Sequence, residues 1–74
     1  MKTLKQLRID SGLTLQQVAS KLQKELKKEF SRQTIQSWEA GRSYPHIRYA
    51  IPLSKIYGVS VETVLEAMFP HYDA

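Results

Sequence analysis

Between Ser31 and Gly41 the chain reads SRQTIQSWEAG, with Arg32, Gln33, Gln36 and Ser37 interleaved with Ile35 and Trp38. Ile35 and Trp38 stand three residues apart, so in a helix they share one face, the inward one. Arg32, Gln33, Gln36 and Ser37 are then left largely outward. A helix built only for stability would line its wet face with opposite charges four residues apart. This face instead carries hydrogen-bonding groups suited to another molecule's polar edges. Arginine pairs bidentately with guanine O6/N7 and glutamine with adenine N6/N7, both edges displayed in the DNA major groove. The free amides and partial positive charge at the helix start also suit a phosphate. Trp38 has a competing use as a stacking platform for unpaired bases, but its register with Ile35 places it in the core. A merely solvated polar face is the plainer alternative for Arg32, Gln33, Gln36 and Ser37.

Other chemistry is poorly served. His46 and His71 are far apart in the chain with no carboxylate at metal-ligand spacing, and there is no HExxH, glycine-rich phosphate loop or serine-nucleophile motif. The expectation is no enzyme, no metal, no cofactor and no small-molecule ligand. The absence of cysteine excludes disulfides and thiolate metal sites. No apolar run approaches the roughly 18 residues of a membrane span, and Met1-Lys2-Thr3 leads into no signal-peptide core. A cytoplasmic protein with no membrane partner is expected.

The 74 residues suffice for a single domain, residues 1–74. At that size only about 60% of the unfolded chain's surface is buried, so efficient packing matters. Eleven Lys and Arg against seven acidic residues give a formal charge of +4, a field that favours anionic partners as well as simple solubility.

The elements that must hold Ser31–Gly41 follow from punctuation and period. Leu4 and Leu7 begin a helix over about 2–11, closed by Gly12. Thr14 with Gln17 three residues on is a capping box. From it run Leu15, Val18, Ala19, Leu22 and Leu26 at helical spacing, to about Glu29. Ser31 caps the third helix, about 32–40, and Gly41 ends it. Ile47, Ile51, Leu53, Ile56 and Tyr57 outline a fourth, ended by Gly58. Pro52 requires that helix to begin late, near Tyr49, or to bend. Ser60 caps a fifth helix with Val61, Val64, Leu65 and Met68 inward, and Pro70 ends it. The core then spans about 2–69, with a tail at 70–74.

The ordered set Leu7-Arg8, Gly12-Leu13-Thr14, Val18-Ala19, Leu22, Ser31-Arg32, Thr34-Ile35, Trp38-Glu39, Gly41, Pro45, Gly58-Val59-Ser60 and Val64-Leu65 resembles the Cro/C1-type (XRE) helix-turn-helix DNA-binding proteins. The resemblance implies an all-α, five-helix, lambda-repressor-like domain with Leu7, Val18, Leu22, Ile35 and Trp38 in its core. It implies a transcriptional regulator, in the manner of a repressor, that binds double-stranded DNA with the third helix in the major groove. Base contacts are then expected from Arg32, Gln33, Gln36 and Ser37, and phosphate contacts from Ser31 and Arg42, with Arg48 and the tyrosine hydroxyls as weaker candidates. An ion pair of Arg8 with Glu39 is implied as the fixture that sets the third helix against the first.

Two departures stand out. The residue opening the second helix, a phosphate-gripping Gln in the resembled family, is Leu15 here, and Gln16 is its nearest substitute. Ala19 and Ile35 stand sixteen positions apart (35 − 19), where the resemblance, with the family's short turn, implies about ten. The surplus falls in QKELKKEF, Gln23–Phe30, and is expected mainly to extend the second helix and enlarge its connection to the third. Lys27 and Lys28 are there placed either as a solvated face or as added phosphate contacts. A protein-interaction module on the same fold, antitoxin-like or anti-repressor, is the rival reading. A weak homodimer would have to use the fifth helix, through Met68, Phe69 and Tyr72, the alternative being that these residues simply finish the core.

Overall fold

Hydroxyl side chains set where four of the helices begin. In the computed structural model, which describes residues 2–69, Thr3, Thr14, Ser31 and Ser60 each accept a hydrogen bond from the amide three residues on. Each cap satisfies a donor that the first helical turn leaves without a partner. The helices are α1 (Leu4–Asp10), α2 (Leu15–Leu26), α3 (Arg32–Ala40), α4 (Ala50–Tyr57) and α5 (Val61–Met68), with a 3₁₀ turn at Ile47–Tyr49 leading into α4. The fold is all-helical, with no strand among the described residues. Pro70, Tyr72 and the tail expected over 70–74 lie outside the described residues.

Three boundaries differ from the sequence reading. α1 is shorter than 2–11, because Thr3 and Gln6 form a capping box of their own, the same device as Thr14 and Gln17 in α2. α2 stops at Leu26 and does not reach Glu29. Lys27 adopts a left-handed conformation (φ +53°) there, and its N–H donates to Gln23 O at 2.7 Å. The helix-forming composition of QKELKKEF is overridden by packing. Phe30 is buried edge-on against Trp38 and Tyr49, with ring centroids 6.1 and 5.4 Å away, and the chain must turn to bring it there. The surplus residues are thus shared between a last turn of helix and the connection Lys27–Ser31.

α4 begins at Ala50, so Pro52 is its third residue, where no intrahelical donor is needed. The apolar stripe counted from Ile47 fails at this point. Ile47 and Ile51 are 59% and 58% exposed, and Ala50, Leu53, Ser54 and Tyr57 face inward. The 3₁₀ turn advances three residues per turn and so shifts the register ahead of α4. In α5, Val64, Ala67 and Met68 are buried whereas Val61 is exposed.

One core joins the five helices: Leu7, Val18, Leu22, Ile35, Trp38, Leu53 and Val64 are all buried in it. α2 packs on α3 and α4, α5 packs on α4, and α1 bridges α3 and α5. Ser11 Oγ, 2.7 Å from Leu7 O and 3.1 Å from Tyr57 O, ties the end of α1 to the end of α4.

Candidate nucleic-acid interface

α3 is anchored on one side and open on the other. Ile35 and Trp38 are buried, whereas Arg32, Gln33, Gln36 and Ala40 are exposed. Ser37 is half-buried, and its Oγ accepts a hydrogen bond from Ser43 Oγ at 3.1 Å, which links α3 to the loop behind it. Ser31 Oγ is occupied as the cap of Thr34 N at 3.2 Å. An anion at this end of α3 would meet the amides of Arg32 and Gln33, and the Ser31 hydroxyl, which accepts from Thr34 N, can still donate its own proton. At the other end Gly41 takes φ +77°, a left-handed cap that turns the chain toward exposed Arg42.

The flank of α3 facing α1 is fixed by charge. Arg8 Nε donates to Glu39 Oε2 at 2.7 Å and Nη2 to Oε1 at 3.1 Å, while Nη1 donates to Leu13 O at 3.1 Å. The side chains are only 14% and 7% exposed. The hydrogen bond to Glu39 holds the Arg8 pKa above its ordinary value, outweighing burial. Tyr57 is buried close by. Its phenol pKa is pushed well above the ordinary tyrosine value by burial, with the Glu39 charge adding and the Arg8 charge opposing.

Beside this pair a cleft of about 230 Å³ is lined by Lys5, Arg8, Leu15, Gln36, Glu39 and Ala40. Half-buried Leu15 forms its wall, and exposed Gln16 reaches only Ser20 Oγ, at 3.4 Å. Lys5 is the side chain that sequence reasoning missed. Its position on α1 gave no hint that it shares a cleft with Gln36 of α3.

Tyr49 packs on Trp38, with centroids 5.9 Å apart. Lys27 and Lys28 are exposed in the connection before α3, and Lys28 Nζ donates to Tyr49 Oη at 3.3 Å. The fold therefore brings Arg32, Gln33 and Gln36 onto one helix face, with Gln16, Arg42, Lys27 and Lys28 exposed on neighbouring elements. The ion pairs among the described residues, Arg8–Glu39 and Lys2–Asp10, involve none of these cations.

Of the two places offered for Met68, core and dimer surface, it takes the core at 1% exposed, and Phe69 is half-buried against that core. Tyr72 lies outside the described residues. Among the described residues no three His, Asp or Glu side chains are grouped to hold a metal ion, and no helix is long and apolar enough to cross a membrane.

No curated protein and no solved structure matches the chain. A family model described as Helix-turn-helix (HTH_3) matches residues 4–64, from the first residue of α1 into the middle of α5.

Proposed function

The chain belongs to this helix-turn-helix family of DNA-binding regulators, of the Cro/C1 type, and on that premise we propose that it is a sequence-specific transcriptional regulator acting as a repressor. α3 enters the major groove of double-stranded DNA, with Arg32, Gln33 and Gln36 at base edges and Ser37 at the margin. Phosphate contacts come from Gln16, Ser31, Arg42, Lys27 and Lys28, and from the amides of Arg32 and Gln33 that open α3. A cytoplasmic site of action and the absence of catalysis belong to the same proposal. The observation that carries it is the division of α3: a buried edge of Ile35 and Trp38, a flank held by Arg8–Glu39, and an exposed edge of Arg and Gln with no side-chain hydrogen-bond partner among the described residues.

Fluorescence-anisotropy titration onto the duplex upstream of the protein's own gene, at low and near-physiological salt, tests the reading. Binding should prefer that duplex over a scrambled one and weaken as salt rises, because each neutralised phosphate releases counterions. Arg32→Ala/Gln33→Ala should remove the preference. Deleting one bidentate pairing to a base costs about 1–3 kcal/mol of discrimination.

One observation favours the second reading, a protein-interaction module. Tyr44, Ile47 and Ile51 are each more than half exposed along one short stretch, an apolar surface that double-stranded DNA does not need. Failure to bind any duplex at low salt would move the assignment there.

A further inference from the structure

The outer face of α4 carries side chains that neither the core nor α3 uses. The register shift at the 3₁₀ turn leaves Ile47 and Ile51 outward, each more than half exposed and one turn apart. Lys55 follows Ile51 by one more turn, is exposed, and continues the same ridge. At Lys55 the ridge borders a depression of about 420 Å³ between α4 and α2, lined by Lys21, Lys24, Glu25, Lys55 and Ile56. Three ammonium groups thus surround one carboxylate, and among the described residues none of the four forms an ion pair. The chain that carries the ridge is equally one-signed: between Glu39 and Glu62 stand Arg42, Arg48 and Lys55, with no Asp or Glu. Covering the isoleucines would remove apolar surface from water, whereas filling the depression calls for negative charge.

We propose that this ridge and depression dock an acidic amphipathic helix of a protein partner, its apolar stripe on Ile47 and Ile51 and its carboxylates at Lys21, Lys24 and Lys55. Both halves of the surface select that occupant. A phosphate backbone would answer the lysines but leave the isoleucines against a polar strand. A second copy of this chain, packed symmetrically on the same patch, would bring like charges together at a cost. An acidic helix meets both demands. Its residues at i, i+3, i+4 and i+7 cover the ridge, and the acidic residues beside them meet ammonium groups that have no carboxylate of their own. Opposite charge also steers the encounter. None of the lining residues belongs to α3, so a seated partner leaves Arg32, Gln33 and Gln36 open. The site goes beyond the DNA-binding reading and stands whether or not α3 meets a base.

The probe is a synthetic helical peptide with leucines at helical spacing and glutamates between them. One control scatters the same leucines, and the other carries lysine for every glutamate. Each peptide is titrated into isotope-labelled protein and followed by amide and isoleucine-methyl NMR shifts. The acidic amphipathic peptide should shift Ile47, Ile51, Lys55, Lys21 and Lys24, and less so as salt rises; neither control should. Ile47→Gln/Ile51→Gln, its fold checked by circular dichroism, should weaken binding by about tenfold or more. Lys21→Gln/Lys55→Gln should flatten the salt dependence. Shifts centred elsewhere, no shift at millimolar peptide, or an equal response to the lysine peptide overturn the site. Wild-type self-association that Ile47→Gln/Ile51→Gln abolishes also overturns it, and gives the surface to a second copy. Anisotropy of Ile47→Gln/Ile51→Gln with the upstream duplex reads the DNA-binding proposal separately and should match the wild type. A loss there, or displacement of the peptide by duplex DNA, gives the surface to DNA and overturns the site.

Discussion

Arg8 donates to both carboxylate oxygens of Glu39 in a setting from which water is largely excluded. Removing one member of such a pair strands the other charge. Arg8→Ala should therefore cost about 3 kcal/mol, the lower end of the range for a buried pair, measured by urea unfolding. Replacing both partners by apolar residues, as in Arg8→Met/Glu39→Leu, should recover much of that loss, since the pair's own net contribution is small. The double variant would then fold yet present α3 at a less certain angle, lowering sequence preference more than stability. Tyr57 gives a second prediction at this scale. Its phenol pKa is raised in the folded protein by burial and by Glu39, so the unfolded chain loses its proton first as pH rises. The stability it contributes is complete below about pH 10 and declines above it, by about 1.4 kcal/mol per pH unit, until the folded phenol ionises. Tyr57→Phe should flatten that alkaline decline and leave stability near neutral pH intact, as thermal melts across pH 8–11 will show. The side chains of α3 were legible from type and spacing alone, because one helical turn relates Ile35 to Trp38. Lys5 and the Lys28–Tyr49 contact were not. Their proximity depends on how α1, the connection before α3 and the 3₁₀ turn pack, and no local pattern encodes that.

At the scale of elements, caps were the most readable feature, since Thr14–Gln17, Ser31 and Ser60 act within four residues of themselves. Element ends set by distant contacts were less so. Lys27 ends α2 in a left-handed conformation that suits glycine, although nothing in QKELKKEF announces a stop. A non-glycine residue there is strained by roughly 1–2 kcal/mol, partly offset by the greater unfolded-state freedom of glycine. Lys27→Gly should consequently stabilise the protein by up to about 1 kcal/mol, raising Tm by roughly 4–8 °C in a domain of this size. If Lys27 also meets phosphate, the same variant will gain stability while losing affinity, which separates its two roles. The register of α4 escapes a local count for a related reason. Counting at 3.6 residues per turn from Ile47 crosses the 3₁₀ turn and puts Ile47 and Ile51 on the wrong side.

For the molecule as a whole, the class of fold followed from the order of apolar stripes and stops, since five short helices with brief connections have few ways to pack. The Cα radius of gyration, 11.1 Å, matches the roughly 11 Å expected for a chain of this length. What the order of stripes did not disclose was that the surplus residues would dock on α4's approach rather than stand clear of it. That docking has a practical corollary. The chain's single tryptophan, Trp38, sits 8% exposed between Phe30 and Tyr49, so its emission is a label already in place. Phe30 covers Trp38 while the surplus turn is seated, so the emission should shift to the red as water reaches the indole when the turn lifts away, even if the rest of the helices hold. Emission spectra could thus follow the seating of that turn, on and off DNA, in the unmodified protein.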